Sequence, residues 1–244
     1  MTIVKEREIA CAVCGTKSTQ FVTLSTNSIG RRQYLDTWET GSAWSSIQHC
    51  QQCQYVSYDL SQCSDDEKEI VQSGGYNNFL LEDIFDLQGI EPLTFEERDD
   101  FINRVDLIAN LVEAKFFLAS SYLQEKLGKY DSAVWEAISA AWTCEAGENK
   151  EEKEASVKCR KEALRLMKKA KKHSQPISAQ PGVSEAIEID LMRRAALFDE
   201  ARKVIRIAKA IDLDETIARV IDFQEVLIGA GDLEAHTISE ATSR

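Results

Sequence analysis

Cys11-Ala-Val-Cys14-Gly15 and, 35 residues further on, Cys50-Gln-Gln-Cys53-Gln54 decide how this chain begins. Each C-x-x-C places two sulfurs on one tight turn, aimed at a common point. A glycine after the second cysteine lets the backbone turn back so that amides can donate to the thiolates. Two such turns complete a tetrathiolate shell with no open position, the donor set of a structural zinc site and also of a rubredoxin-like iron site. One zinc ion held by Cys11, Cys14, Cys50 and Cys53 is the expectation, and a redox dithiol is the other reading of the same cysteines. His49 adjoins Cys50 and is expected to be a spectator on the ribbon surface, because four cysteines already fill the shell. Cys63 reads as an unrelated thiol, and Cys144 and Cys159 read as buried residues of a helical core.

Around the two turns, residues 1–63 hold Thr, Val, Ser, Gly and aromatic residues without a helical apolar stripe. Phe21-Val22-Thr23-Leu24 and Ser45-Ser46-Ile47 are strand-like in composition. A module of about 60 residues buries little core by itself, so metal binding is expected to supply much of its folding free energy. The character changes at Ser64-Asp-Asp-Glu67, a capping box in which serine and glutamate satisfy each other's backbone N–H groups. Thr94-Phe-Glu-Glu97 repeats the device just after Pro92. The predicted fold is therefore a small β-rich zinc ribbon over 1–63 followed by a mainly α-helical, tetratricopeptide-like domain over 64–244. Within the latter, 64–100 are acidic connecting helices, and Pro176 and Pro181 mark a loop over 174–183.

The tetratricopeptide reading rests on an internal echo. Gly128-Lys-Tyr130-Asp-Ser-Ala133 matches Ala196-Leu-Phe198-Asp-Glu-Ala201 across 68 residues, twice the roughly 34-residue period of such repeats. A small residue permits the tight turn, an aromatic opens the next helix, and alanine lets two helices approach. Gly231-Asp-Leu233-Glu-Ala235 is a third, shorter echo, while Asn149 to Ser174 does not match. Val134, Trp135, Ile138, Ala141 and Trp142 recur at helical spacing and are expected in the core, with a groove lined by Trp135 or Trp142 as the functional alternative.

The 43% apolar and 29% charged content is ordinary for a globular chain. No apolar run reaches the about 18 residues a membrane helix needs, and Met1-Thr-Ile-Val-Lys-Glu-Arg-Glu is charged where a secretion signal is apolar. A cytoplasmic protein is the expectation. The net charge of −12 is concentrated in residues 65–100, where twelve carboxylates face Lys68 and Arg98. Such a chain is a poor general polyanion binder, because phosphate neutralisation dominates nucleic-acid affinity. The acidic block, with Glu82, Asp83, Asp86, Glu96, Glu97, Asp99 and Asp100, reads as a solvated helix face. One basic stretch stands apart: Lys158, Arg160, Lys161, Arg165, Lys168, Lys169, Lys171 and Lys172 against Glu162. It is a candidate anion or partner surface over a buried stripe of Val157, Leu164 and Met167, or a solvated face neutralised by the acidic block. His49, His173 and His236 lie in separate contexts, and no nucleophile elbow, Walker or dinucleotide-binding pattern occurs. No enzymatic activity is expected.

Cys11-x-x-Cys14-Gly15, then Tyr34-Leu35-Asp36-Thr37, then Cys50-x-x-Cys53-x-Tyr55 resembles a bacterial family of unknown function. Its members pair an N-terminal zinc ribbon with tetratricopeptide-like helices, and the resemblance implies the same layout here. It covers the first 60 residues best and extends more loosely to Ala140-Ala141-Trp142. Ala12 and Gln51 stand where proline is frequent, and Gln54 where glycine is typical. The functional expectation is an adaptor or scaffold with a protein partner. A nucleic-acid-associated factor using the ribbon and residues 158–173 is the first alternative, and a redox or metal-responsive regulator the second.

Overall fold

A computed structural model describes residues 3–25, 30–39, 47–76, 98–145 and 149–243, with the side chains of 98–109 excluded. The N-terminal part is a hairpin of β1 (Ile3–Ala10) and β2 (Lys17–Ser25), paired antiparallel from Ala10 opposite Lys17 to Val4 opposite Thr23. Phe21 to Leu24 lies in β2, as its composition predicts. A second, shorter pair, β3 (Gln48–His49) and β4 (Val56–Ser57), flanks the second cysteine turn. Ser45 and Ser46, the box at Thr94–Glu97 and the acidic residues from Glu82 to Glu97 lie outside the described residues, as do the side chains of Asp99 and Asp100.

Among the described residues, seven further helices follow the first, α1 (Asp65–Gln72). They are α2 (Arg98–Lys126), α3 (Tyr130–Glu145), α4 (Lys150–Lys172), α5 (Val183–Arg194), α6 (Phe198–Ala208), α7 (Glu215–Ala230) and α8 (Ile238–Thr242). The box expected at Ser64 starts α1: Glu67 N–H donates to Ser64 Oγ at 3.2 Å, and Ser64 N–H donates to Glu67 Oε2 at 2.7 Å. Helix α3 packs against both α2 and α4. Ala133, Ala137, Ala140 and Ala141 of α3 and Ala155 and Ala163 of α4 are buried, so short side chains let the backbones approach. Cys144 and Cys159 are buried as well, which matches their reading as core residues.

The echoed small residues share one conformation. Gly128, Ala196 and Gly231 have φ of 71°, 58° and 68°, the left-handed turn that closes a helix C-terminus. After Gly128 and Ala196 the chain enters α3 and α6 almost at once. After Gly231 it runs on without a helix as far as Thr237 and then enters α8.

That last segment straps the N-terminal part onto the helices. Leu35 N–H donates to the His236 carbonyl at 3.1 Å, and Ile238 N–H donates to the Gln33 carbonyl at 2.9 Å. Between these bonds Tyr34 and Thr237 form an antiparallel bridge. The buried apolar residues accordingly form one cluster, from Cys11, Leu35, Tyr55 and Leu60 through to Val134, Ile187 and Ile228.

Candidate metal centre and its seat on the helices

The four cysteines converge. Their sulfurs all lie within 4.8 Å of one another. Across the two turns, Cys11 lies 3.6 Å from Cys53 and Cys14 3.5 Å from Cys50. A tetrahedral ion with metal–sulfur bonds of about 2.3 Å needs sulfurs about 3.8 Å apart, so the donor set fits one ion held between both turns. The two turns are the same backbone built twice. Gly15 N–H donates to the Cys11 carbonyl (2.7 Å) and Gln54 N–H to the Cys50 carbonyl (2.8 Å). Cys11 N–H then bonds the Thr16 carbonyl and Cys50 N–H the Tyr55 carbonyl, each at 2.9 Å. Gly15 and Gln54 occupy the same left-handed region, φ 75° and 62°. The departure from glycine at position 54 therefore leaves the turn intact, and the glutamine side chain braces it by donating to the Gln51 carbonyl at 2.8 Å.

Backbone amides of Val13 and Cys14 point at the Cys11 sulfur, that of Thr16 at Cys14 and that of Tyr55 at Cys53. Such donors stabilise thiolates, the form that binds metal. The sulfurs are unequal. Cys11 and Cys50 are buried, Cys53 is half-buried and Cys14 is exposed. Burial pushes the Cys11 and Cys53 thiols up, whereas the Thr16 hydroxyl and amide bring Cys14 down to about 6. An ion bound here would compensate the buried thiolates and join the hairpin to the second turn. Cys63 stays outside the group, its thiol directed at the Ser64 carbonyl.

The second turn is seated on helices. His49 is not a surface spectator: its ring stacks on Phe116 of α2 (centroids 4.3 Å, 19°) and its Nε2 bonds Gln54 Oε1 at 2.9 Å. Burial lowers its pKa, against the Gln54 hydrogen bond, which acts the other way. Tyr76 O–H donates to the Gln54 carbonyl at 3.0 Å. Tyr58 O–H lies 3.0 Å from both oxygens of Glu136 on α3, whose carboxyl burial pushes up to about 7 against the Tyr58 and Ser120 hydrogen bonds.

A second junction lies between the cysteine turns in sequence. Residues 33–39 form a small turn closed by the Gln33–Glu39 bridge and by Tyr34 N–H to the Trp38 carbonyl at 2.8 Å. Its apex drives Asp36, fully buried, into the helices. Trp142 Nε1–H donates to Asp36 Oδ2 at 2.7 Å, and Arg194 Nη1 lies 3.7 Å from the same oxygen. Trp38 stacks on Trp142 (4.4 Å, 11°), Tyr34 tilts against the same indole at 4.5 Å, and the Arg194 guanidinium lies 4.4 Å from it. Burial, with Asp190 close by, raises the Asp36 carboxyl to about 6 in spite of Arg194, Arg160 and Trp142.

Arg160 belongs to this junction and not to an exposed basic face. It is 1% exposed, pairs with Glu145 at 2.7 Å and donates to Ser156. Helical spacing puts it on the face of Val157, Leu164 and Met167, and that signal was available in the sequence, although the run of cations around it masked it. Leu164 and Met167 are buried and Val157 is half-buried, as the stripe predicts. Arg165 is engaged too, with Glu125 at 2.6 Å and Glu162 at 2.6 Å, and Lys169 also pairs with Glu125. Partial burial works against the Glu125 carboxylate, yet the Arg165 and Lys169 hydrogen bonds hold it at about 2. Neutralisation thus comes from α2 and from α4 itself. Lys158, Lys161, Lys168, Lys171 and Lys172 remain exposed. Lys168 and Lys171 line a groove of about 400 Å³ with Pro176, Ile177 and Glu188, under the proline-containing loop.

The three histidines stay apart: His173 stacks on Tyr130, and His236 faces Asp232 at 3.1 Å and Glu240 at 3.4 Å. No helix among the described residues is long and apolar enough to cross a membrane. Comparison with protein-family models, curated proteins and solved structures finds no match to this chain.

Proposed function

We propose that this protein is a non-catalytic adaptor or scaffold in which one structural zinc ion, held by Cys11, Cys14, Cys50 and Cys53, fixes an N-terminal ribbon onto a tetratricopeptide-like helical body that binds a partner protein. The observation that carries the reading is the pairing of sulfurs across the two turns, with the second turn packed on α2 and α3. A closed tetrathiolate shell supplies no reactive position, so the ion acts as a cross-link. Its place is between an exposed hairpin and a docked turn, where a cross-link has the most to hold. A reducing, cytoplasmic setting suits seven free cysteines, and the layout accords with the resemblance carried by the cysteine turns and Tyr34 to Thr37.

Native mass spectrometry with elemental analysis of protein purified without added metal tests the reading. One zinc per chain, lost in Cys50→Ser, supports it; iron with its visible absorption, or no metal, overturns it. A redox-responsive role is the second reading, favoured by the exposed Cys14 with its lowered pKa. Metal release by mild peroxide and recovery with reductant would replace the structural assignment by that one. The nucleic-acid reading is weaker, because Arg160 is buried and Arg165 and Lys169 are paired. It requires salt-dependent RNA or DNA binding that falls when Lys168 and Lys171 become glutamine.

A further inference from the structure

The junction at Asp36 has the composition of a ligand site. Three guanidiniums, those of Arg160, Arg193 and Arg194, are buried, and buried Asp190 faces two of them, Arg193 at 2.8 Å and Arg194 at 3.8 Å. Glu145 and Asp232 add partners from the half-exposed edge. Asp36, fully buried, is brought in by the 33–39 turn and lies 3.7 Å from Arg194. Even so, Arg160 Nε, Arg194 Nε and Arg194 Nη1 have no hydrogen-bond acceptor.

A purely structural junction does not need this. Replacing buried ionic groups by apolar ones of similar volume is often neutral or stabilising, and the Trp38–Trp142 stack already supplies adhesion. What ionic groups add is selectivity, since a segment without a carboxylate would take away the acceptor of the Trp142 indole N–H and one of the carboxylates facing Arg194. The occupant is also compact and self-contained. It is closed by the Gln33–Glu39 bridge and an Arg31–Glu39 pair at 3.2 Å, and Trp38 N–H caps Asp36 Oδ1 at 3.2 Å. It reaches the helices through two aromatic rings flanking one acid.

We propose that the socket formed by Trp142, Arg160 and Arg194 is a recognition site for a partner segment carrying an acidic residue between two aromatics, and that the chain's own Tyr34–Trp38 turn is its resident occupant. The proposal rests on the adaptor reading and gives the partner its chemistry. The partner's carboxylate takes the Trp142 indole N–H and the guanidiniums, and its aromatics take the positions of Tyr34 and Trp38 over the indole. Binding in trans requires the resident turn to leave, so the socket is closed until that turn is displaced.

The test uses a dye-labelled peptide of residues 31–39 and the full-length chain. Fluorescence anisotropy should show the peptide binding the Asp36→Ala/Trp38→Ala variant at least about tenfold more tightly than wild type, with a similar loss for a peptide carrying asparagine at position 36. No binding to a variant that keeps its helical circular dichroism and a cooperative melt overturns the proposal, and so does equal binding to wild type. Should the variant fail to fold, hydrogen exchange on the unmodified chain decides. The Leu35 and Thr37 amides should open while α3 stays protected, and excess peptide should raise their exchange. Exchange of those amides only together with α3 rejects a displaceable turn. Zinc content and partner capture are measured separately: a partner bound equally by wild type and variant leaves the adaptor reading standing and overturns this one.

Discussion

The first cysteine turn, Cys11–Gly15, closes a hairpin exposed along nearly its whole length, with Ile3, Val4, Phe21 and Leu24 each about half accessible. The second, Cys50–Gln54, has the same backbone bonds but is backed by Phe116, Tyr76 and, through Tyr58, by Glu136. Two turns with the same backbone bonds thus differ chiefly in what stands behind them. A lone two-stranded hairpin is marginal in water, so an ion bound by the four cysteines would matter far more to the first turn than to the second. The hairpin also reaches the strands beside the second turn through Gln20, whose Nε2–H donates to the His49 carbonyl at 3.0 Å and whose Oε1 accepts from His49 N–H at 3.4 Å, and through Ala12 N–H to the Leu60 carbonyl at 2.8 Å.

The largest effect should follow removal of the ion. Structural zinc is worth on the order of 10 kcal/mol of apparent folding free energy in small fingers. In Cys50→Ser, amide exchange across β1 and β2 should approach that of an unstructured peptide, while α3 and α4 keep their protection. Equal protection of the hairpin in metal-free and metal-loaded protein would break the contrast, because the helices would then be holding both turns.

The next effect belongs to the Asp36 junction, which ties the region between the turns to the helices. Trp142→Ala removes a stacked ring, the indole donor to Asp36 and the cover over Arg194. A loss of about 3–5 kcal/mol is expected by urea denaturation. A loss under about 1 kcal/mol would mean that the strap at Thr237 and the second turn hold the ribbon without this junction.

The second turn's seat should also respond to pH. Glu136 has its folded pKa raised from 4.5 to about 7. The folded state therefore binds this proton more tightly than the unfolded chain. Its contribution is full below the unfolded value and is lost as pH rises through 7. Glu136→Gln keeps an acceptor for Tyr58 and has no charge to desolvate. It should gain on the order of 2 kcal/mol over wild type at pH 8 and nothing near pH 4. Asp36 has the same sign in a lower window, from 3.8 to about 6, so the slope remaining in Glu136→Gln should lie there. An unchanged profile would place the Glu136 carboxylate in contact with water and weaken the seat of the second turn.

Spacing in the sequence was enough to bring Cys11, Cys14, Cys50 and Cys53 together, because the geometry of each turn is local and only one long-range pairing of the two turns is needed. The helix start at Ser64 and the turns at Gly128, Ala196 and Gly231 were legible for the same reason: capping and left-handed closure are decided within four or five residues. What escaped was everything made by a distant partner. Asp36 enters the sequence reading only within the Tyr34–Thr37 run, because its partners Trp142 and Arg194 lie over 100 positions away. Arg160 is read as surface, although in the fold it is buried and reaches Glu145 and Ser156. His49 was placed outside because no local signal announces Phe116.

The smallest effect separates the turns by one residue each. Gly15 has φ 75°, and a Cβ built there meets no atom within 4 Å, so Gly15→Ala should cost only the left-handed backbone penalty, about 1 kcal/mol. Gln54 already bears that penalty at φ 62°. Gln54→Gly relieves it but removes the bonds to the Gln51 carbonyl and to His49, each worth about 0.5–1.5 kcal/mol. The two terms nearly cancel, and thermal melts of metal-loaded protein should place Gln54→Gly within about 1 kcal/mol of wild type, on the destabilised side. The direction carries the information. A clear gain would mean that the glutamine braces nothing and the two turns are equivalent. A loss beyond that of Gly15→Ala would mean that Gln54 holds the His49 ring against Phe116, and with it the second turn against α2.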